Sequence, residues 1–266
     1  MVKTFFIMCK FSIFAMIMTK ISKSDRILVL GSCFSTNLGG ILKDAGYDVM
    51  INPFGTIFNP ASISNSVSRL ISGEHFTLGD CVEMGAGAGK ICSFYHHTSF
   101  AREKAEDFLK AANESLDKAR EFWAECNKVI ITYGTAQVWK HSGIIVSNCL
   151  KRPGYEFTHE MLSVEEVAEY TRNIIAEDKE YLFTVSPIRH MGEGAHVNTI
   201  SKSTLHLGLQ AGMNGQCDYF PAYEIMLDEL RDYRWYAEDL VHPTKDAISE
   251  IYSRFLVCLD AADSVD

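Results

Sequence analysis

Two short segments carry side chains of the kinds that do nucleophilic chemistry. Near the end of the chain, Asp239-Leu240-Val241-His242-Pro243 sets a carboxylate three residues before an imidazole. In a turn, that spacing lets the Asp oxygen accept from His Nδ1–H, which holds one tautomer and leaves Nε2 free as a base. The same five residues also suit an ordinary helix start, with His242 near the cap and Pro243 at the first helical position. Near the beginning, Gly31-Ser32-Cys33-Phe34 follows an apolar run and offers two nucleophiles at what reads as a helix N-terminus. Free backbone N–H groups there can lower a thiol pKa and stabilise an oxyanion. A Ser needs a base, whereas a Cys needs less help. The plainer alternative is a capping Ser beside a small buried Cys.

These pieces need a scaffold, and the apolar pattern predicts one. Ile27-Leu28-Val29-Leu30, VIITY at 129–133 and YLFTV at 181–185 are solid apolar runs, the mark of strands buried on both faces. Residues 47–51 read as another strand and 218–220 as a short fifth. Between them lie helical spacings. Leu38, Ile41, Leu42 and Ala45 are followed by a capping Gly46; residues 101–126 are amphipathic; a last helix runs from about Pro243. The alternation predicts an α/β fold, a three-layer α/β/α flavodoxin-like sandwich on a parallel sheet. Residues 60–127 form a helical insertion, and 85–89 a glycine-alternating loop or hairpin. Ligands of such sheets bind beyond the carboxyl ends of the strands. The informative turns are therefore 31–34, 52–55, 134–136 and 186–190.

Composition narrows the class. The chain has 266 residues, 47% hydrophobic and 22% charged, which suits a globular domain and excludes disorder and coiled coil. A net charge of −9 and the lack of a basic stripe argue against a nucleic-acid partner. Eight cysteines without a CxxC point to reduced thiols in the cytoplasm and exclude a paired-Cys zinc ribbon. Residues 1–24 read as a leader outside the core domain of 25–266. Its apolar stretch is too short and too interrupted by Lys10 for a stable membrane span, and no small-x-small cleavage site follows, so a signal peptide or anchor at 1–20 is the disfavoured alternative to an ordinary packed or frayed leader.

A nucleophile after the first strand and DxxHP before the last helix is the layout of the SGNH/GDSL hydrolase superfamily, which this chain resembles. It is more closely similar to the GSCFA-domain family, with GSCFS at 31–35 in place of the family's fifth-position Ala. Family-like blocks follow in order: NPFGTIFNPASI (52–63), SFYHHTSF (93–100), ITYGTAQVW (131–139), FTVSPIRH (183–190) and YFPAYEIMLDELRDYRWYAEDLVHP (219–243). The resemblance spans roughly 25–259. It implies a hydrolase or acyltransferase acting on esters or thioesters, including an O-acyl group on a glycan, without a cofactor. Overlaying Gly-Asp-Ser on Gly31-Ser32-Cys33 makes Cys33 the nucleophile, with Ser32 an alternative or an oxyanion donor. Asp239 and His242 take the orienting and base roles. Gly55 matches the block-two glycine of the oxyanion hole. The block-three Asn is missing, since Gly134-Thr135-Ala136 has Ala there; Gln137 or Asn52 stands in as side-chain donor. The family's usual His is Leu150 here.

The remaining candidates are pocket-lining groups. His96, His97, His190 and His196 sit in loops and line a pocket or hold a metal; no HxH or HxxxH favours the metal. Arg189 either holds an anionic substrate group or makes a surface ion pair. Tyr233, Trp235 and Tyr236 either pack in the core or wall the site. Two other classes stay open: a ligand-binding module without turnover, and a metal-assisted hydrolase.

Overall fold

A computed structural model describes residues 20–263, with side chains to 256, so the leader expected at 1–24 lies mostly outside the described residues. The three solid runs and the two shorter strands form one parallel sheet. In chain order these strands are β1 (Arg26–Gly31), β2 (Asp48–Ile51), β5 (Lys128–Tyr133), β9 (Glu180–Val185) and β10 (Cys217–Phe220). They lie side by side as β10-β9-β5-β1-β2, the flavodoxin-like order, in which the chain steps outward to β2 and then returns past β1 to β5. Register is set by matched pairs such as Gly31 with Thr132 and Tyr133 with Val185.

Both faces of the sheet are covered, as solid apolar strands require. Leu28 and Leu30 point into one core with helices α2 (Pro60–Ser72), α3 (Ala105–Glu125), α4 (Val164–Ile174) and α5 (Ala195–Gly212). Ile27 and Val29 point into the other, with α1 (Cys33–Asp44) and α6 (Lys245–Asp263). The result is the expected three layers. Each fully buried Leu, Ile or Val contributes about 1.5–3 kcal/mol by leaving water.

Three local expectations are refined. The segment 60–127 holds α2 and α3 but also a short antiparallel ribbon of β3 (Val82–Glu83) and β4 (Ile91–Cys92), closed across the glycine-rich turn. A second antiparallel sheet, β7-β6-β8, is built from β6 (Gln137–His141), β7 (Ile144–Val146) and β8 (Phe157–Met161). Its exposed residues interrupt the apolar alternation, so no solid run announces it. The last helix begins at Lys245 rather than at Pro243, because Pro243 pairs with Tyr236 as an antiparallel bridge and Thr244 Oγ1 accepts from Ala247 N–H at 3.2 Å. His242 therefore sits in a closed turn ahead of the helix, not at its cap.

Candidate active site

The candidate residues follow the carboxyl ends of neighbouring strands. Cys33 opens α1 directly after β1, where the order of the sheet reverses between β1 and β5. Gly31 makes the sharp corner possible: its φ is +131°, and a Cβ there would run into Thr132 O. Ser32 then caps α1, with its Oγ accepting from Phe34 N–H at 3.3 Å. The Ser32 side chain is buried inside that cap, while Cys33 is half-buried and packs against the edge of the core shared by α1 and α6. The Cys33 backbone N–H lies on its own sulfur and favours the thiolate, yet burial outweighs it and pushes the thiol up. The lowering expected from a helix N-terminus is thus reversed by desolvation.

The turn after β2 carries Asn52 with φ +44°, a conformation Asn tolerates. Its Oδ1 accepts from Gly31 N–H at 2.8 Å and its Nδ2 donates to Thr36 Oγ1 at 3.0 Å, so Asn52 braces the turn that leads into Cys33. Its second amide hydrogen is uncommitted. Gly55, with φ +80°, leaves room for His97, whose Cβ a side chain at 55 would overlap. The Gly55 N–H donates to Asn52 O at 2.7 Å. His97 Nδ1 accepts from Ser99 N–H at 3.2 Å.

After β5, the N–H groups of Gly134 and Thr135 both donate to Phe58 O, at 2.7 and 3.1 Å. Thr135 Oγ1 shares a hydrogen bond with Ser201 Oγ at 3.0 Å. Gln137 Nε2 donates to Glu193 Oε2 at 2.8 Å, and so faces the loop after β9. In that loop, Arg189 N–H donates to Val241 O at 3.1 Å, and its guanidinium lies 3.8 Å from the Tyr236 ring centroid and 5.5 Å from that of Tyr233. Among the described residues Arg189 has no carboxylate partner, and it joins the β9 loop to the Asp239–His242 turn. Tyr236 is buried and Tyr233 is 64% exposed, so the aromatic segment serves both as packing and as a rim.

His242 donates Nδ1–H to Asp239 Oδ2 at 2.6 Å, while Asp239 Oδ1 accepts from the N–H groups of Val241 and His242. Those donors hold the Asp239 carboxyl down to about 2. His242 Nε2 is left without a partner among the described residues, and no hydrogen bond joins it to Cys33 Sγ. His190 is also close by: its backbone N–H donates to Asn198 Oδ1 at 2.9 Å, and its buried Nε2 has no partner. Burial, with the charges of Lys202 and His242, brings His190 down to about 4.

The other histidines separate from this set. His96 is fully buried among Phe54, Phe76, Phe100 and Phe108, bonded to Ser93, and pushed down to about 3 by burial. His196 is exposed on the first turn of α5. Among the described residues no three His, Cys, Asp or Glu side chains stand close enough to hold a metal ion. Leu150 is fully buried in the core, so that position supplies packing instead of an imidazole. Sequence reasoning missed Asn198, Ser201 and Lys202, three buried polar residues on α5. Their i, i+3, i+4 spacing just after the β9 turn was the available signal.

The family model for GSCFA proteins matches residues 26–255. No curated protein and no solved structure matches the chain. Among the described residues no helix is long and apolar enough to cross a membrane.

Proposed function

The chain belongs to the GSCFA family, and from that premise we propose that it is an SGNH-type hydrolase or acyltransferase acting on esters or thioesters through Cys33, His242 and Asp239. The observation that carries this reading is the Asp239–His242 pair: a 2.6 Å hydrogen bond to an ionised carboxylate orients the ring through Nδ1 and leaves Nε2 without a partner among the described residues. That pair is tied through Arg189 to the same edge of the sheet from which Cys33 emerges.

In the proposed reaction, His242 Nε2 takes the proton of Cys33 and the thiolate forms a C–S bond to the acyl carbon. The carbonyl π electrons move to oxygen. Because the N–H groups of Gly55 and Gly134 are already occupied, the oxyanion falls to the second hydrogen of Asn52 Nδ2 and to the Cys33 N–H, which is freed from the sulfur as the C–S bond forms. Collapse expels the alcohol or thiol, which takes the proton from His242. Water or an acceptor hydroxyl, such as one on a glycan, then attacks the thioester with His242 again as base, and Cys33 is released as thiol.

The test is intact-mass spectrometry after incubation with a panel of activated acyl esters and thioesters. An acyl adduct is expected on wild type, absent from Cys33→Ala and slowed in His242→Ala. An adduct that survives in Cys33→Ala but not in Ser32→Ala would move the nucleophile by one residue.

A second reading, a ligand-binding module without turnover, is favoured by the two occupied glycine N–H groups and the unbridged Cys33 and His242. It predicts ligand affinity that His242→Ala leaves unchanged and no adduct with any donor.

A further inference from the structure

One face of α5 carries three buried polar residues, each aimed at a strand-end turn of the site. Asn198 Oδ1 accepts from His190 N–H at 2.9 Å. Ser201 Oγ accepts from Ala136 N–H at 2.8 Å and pairs with Thr135 Oγ1. Lys202, 1% exposed, donates from Nζ to Gly134 O at 2.6 Å and to Ser186 O at 2.7 Å. Those two carbonyls follow the paired ends of β5 and β9. A buried ammonium is costly to maintain, and a Met or Leu would pack on the strand ends at far lower cost. Lys202 has no carboxylate partner among the described residues; its other neighbour is the Tyr223 ring, 5.6 Å away.

We propose that Lys202 is a positioning residue for the acyl-transfer site: it clasps the turns after β5 and β9 together and so sets His190 against Gly134, in the turn whose Ala136 stands where the SGNH superfamily's block-three Asn would be. This rests on the reading of the site given above. A Cβ on Gly134 would stand 3.3 Å from His190 Nε2, so the imidazole edge occupies the space beside that glycine. With Nε2 enclosed and unpartnered, the ring meets a ligand through Nδ1. The groups facing His190 are Lys202 from α5, His242 from the turn before α6 and the Phe58 ring at 6.0 Å. Burial is the main force opposing protonation of the ring, with the Lys202 charge adding to it, so the ring stays a neutral hydrogen-bond donor at neutral pH. It is suited to an acyl or acceptor oxygen and unsuited to a cation.

The experiment uses the full chain as wild type, Lys202→Met, Lys202→Gln and Asn198→Ala. Three quantities are read on each: the His190 titration midpoint by ¹⁵N-histidine NMR, Cys33 acylation by a p-nitrophenyl acyl ester, and Cys33 alkylation by iodoacetamide. With a cooperative melt retained, Lys202→Met is expected to raise the His190 midpoint measurably. It should slow acylation at least tenfold while alkylation changes less than threefold. Lys202→Gln, which keeps a donor but not the charge, should raise the midpoint while recovering part of the acylation rate. An unmoved midpoint together with an unchanged acylation-to-alkylation ratio overturns the proposal. If Lys202→Met does not fold, Asn198→Ala decides, since unchanged acylation there overturns it as well. If wild type forms no adduct but the midpoint moves, the clasp stands and the acyl-transfer reading is what fails.

Discussion

His242 Nδ1 and Asp239 Oδ2 stand 2.6 Å apart in a turn that also satisfies two backbone N–H groups from the same carboxylate. Leu240 between them takes a left-handed φ of +54°, a conformation that costs a β- or γ-branched residue about 1–3 kcal/mol. Arg189 secures that turn from outside, with its backbone on Val241 O and its guanidinium stacked on Tyr236. The pair is solvent-facing, so it adds little to stability. Its geometry serves to fix a tautomer.

Replacing Asp239 with Asn should therefore act on rate and not on folding. The Asn oxygen still accepts from the turn N–H groups, but the amide disturbs the tautomer of His242. Acylation of Cys33 is expected to fall by about 10²–10⁴, with the denaturation midpoint unchanged. An equal loss of stability and rate would mark the pair as a structural brace.

Ser32 and Cys33 are separable by the same logic. Ser32 Oγ sits in the α1 cap, so Ser32→Ala should cost about 1 kcal/mol in chemical denaturation and leave the acyl adduct in place. Cys33→Ala should do the reverse.

The resting thiol should be protonated. Burial pushes Cys33 up and no hydrogen bond reaches it from His242. The rate of iodoacetamide alkylation is expected to climb through and beyond pH 9. An inflection below pH 7 would reveal a preformed thiolate–imidazolium pair instead.

Acid should weaken the fold earlier than carboxylates alone would dictate. His96 takes up a proton near 6.5 when unfolded but only at about 3 when folded. Its folded pKa is depressed, so below 6.5 the unfolded chain binds more protons, and stability falls as pH drops from 6.5 toward 3. Between pH 7 and 4.5 the loss from His96 is about 2–3 kcal/mol. Denaturant titrations at the two pH values, repeated on His96→Phe, should show a smaller difference in the variant. His190, brought down to about 4, adds to the same trend.

The five solid or near-solid strands, their parallel arrangement and the positions after them could be read from the chain, because a strand buried on both faces must be apolar at every residue. The i, i+3 spacing of Asp239 and His242 was legible for a similar reason: a pair that close in sequence is held by its own turn. Other features needed the tertiary structure. Ser32 and Cys33 are adjacent in sequence, and only packing shows that one is buried in a cap while the other is half-buried at the core edge. The N–H groups of Gly55 and Gly134 read as free donors until the loops fold back and Asn52 O and Phe58 O occupy them. His96 and His97 are adjacent, yet one is enclosed by four phenylalanines and the other lies on Gly55. Lys202 reads as an ordinary helical lysine. Its burial against two carbonyls from separate strands is a long-range consequence of how α5 lies across the sheet, and local spacing carries no record of it.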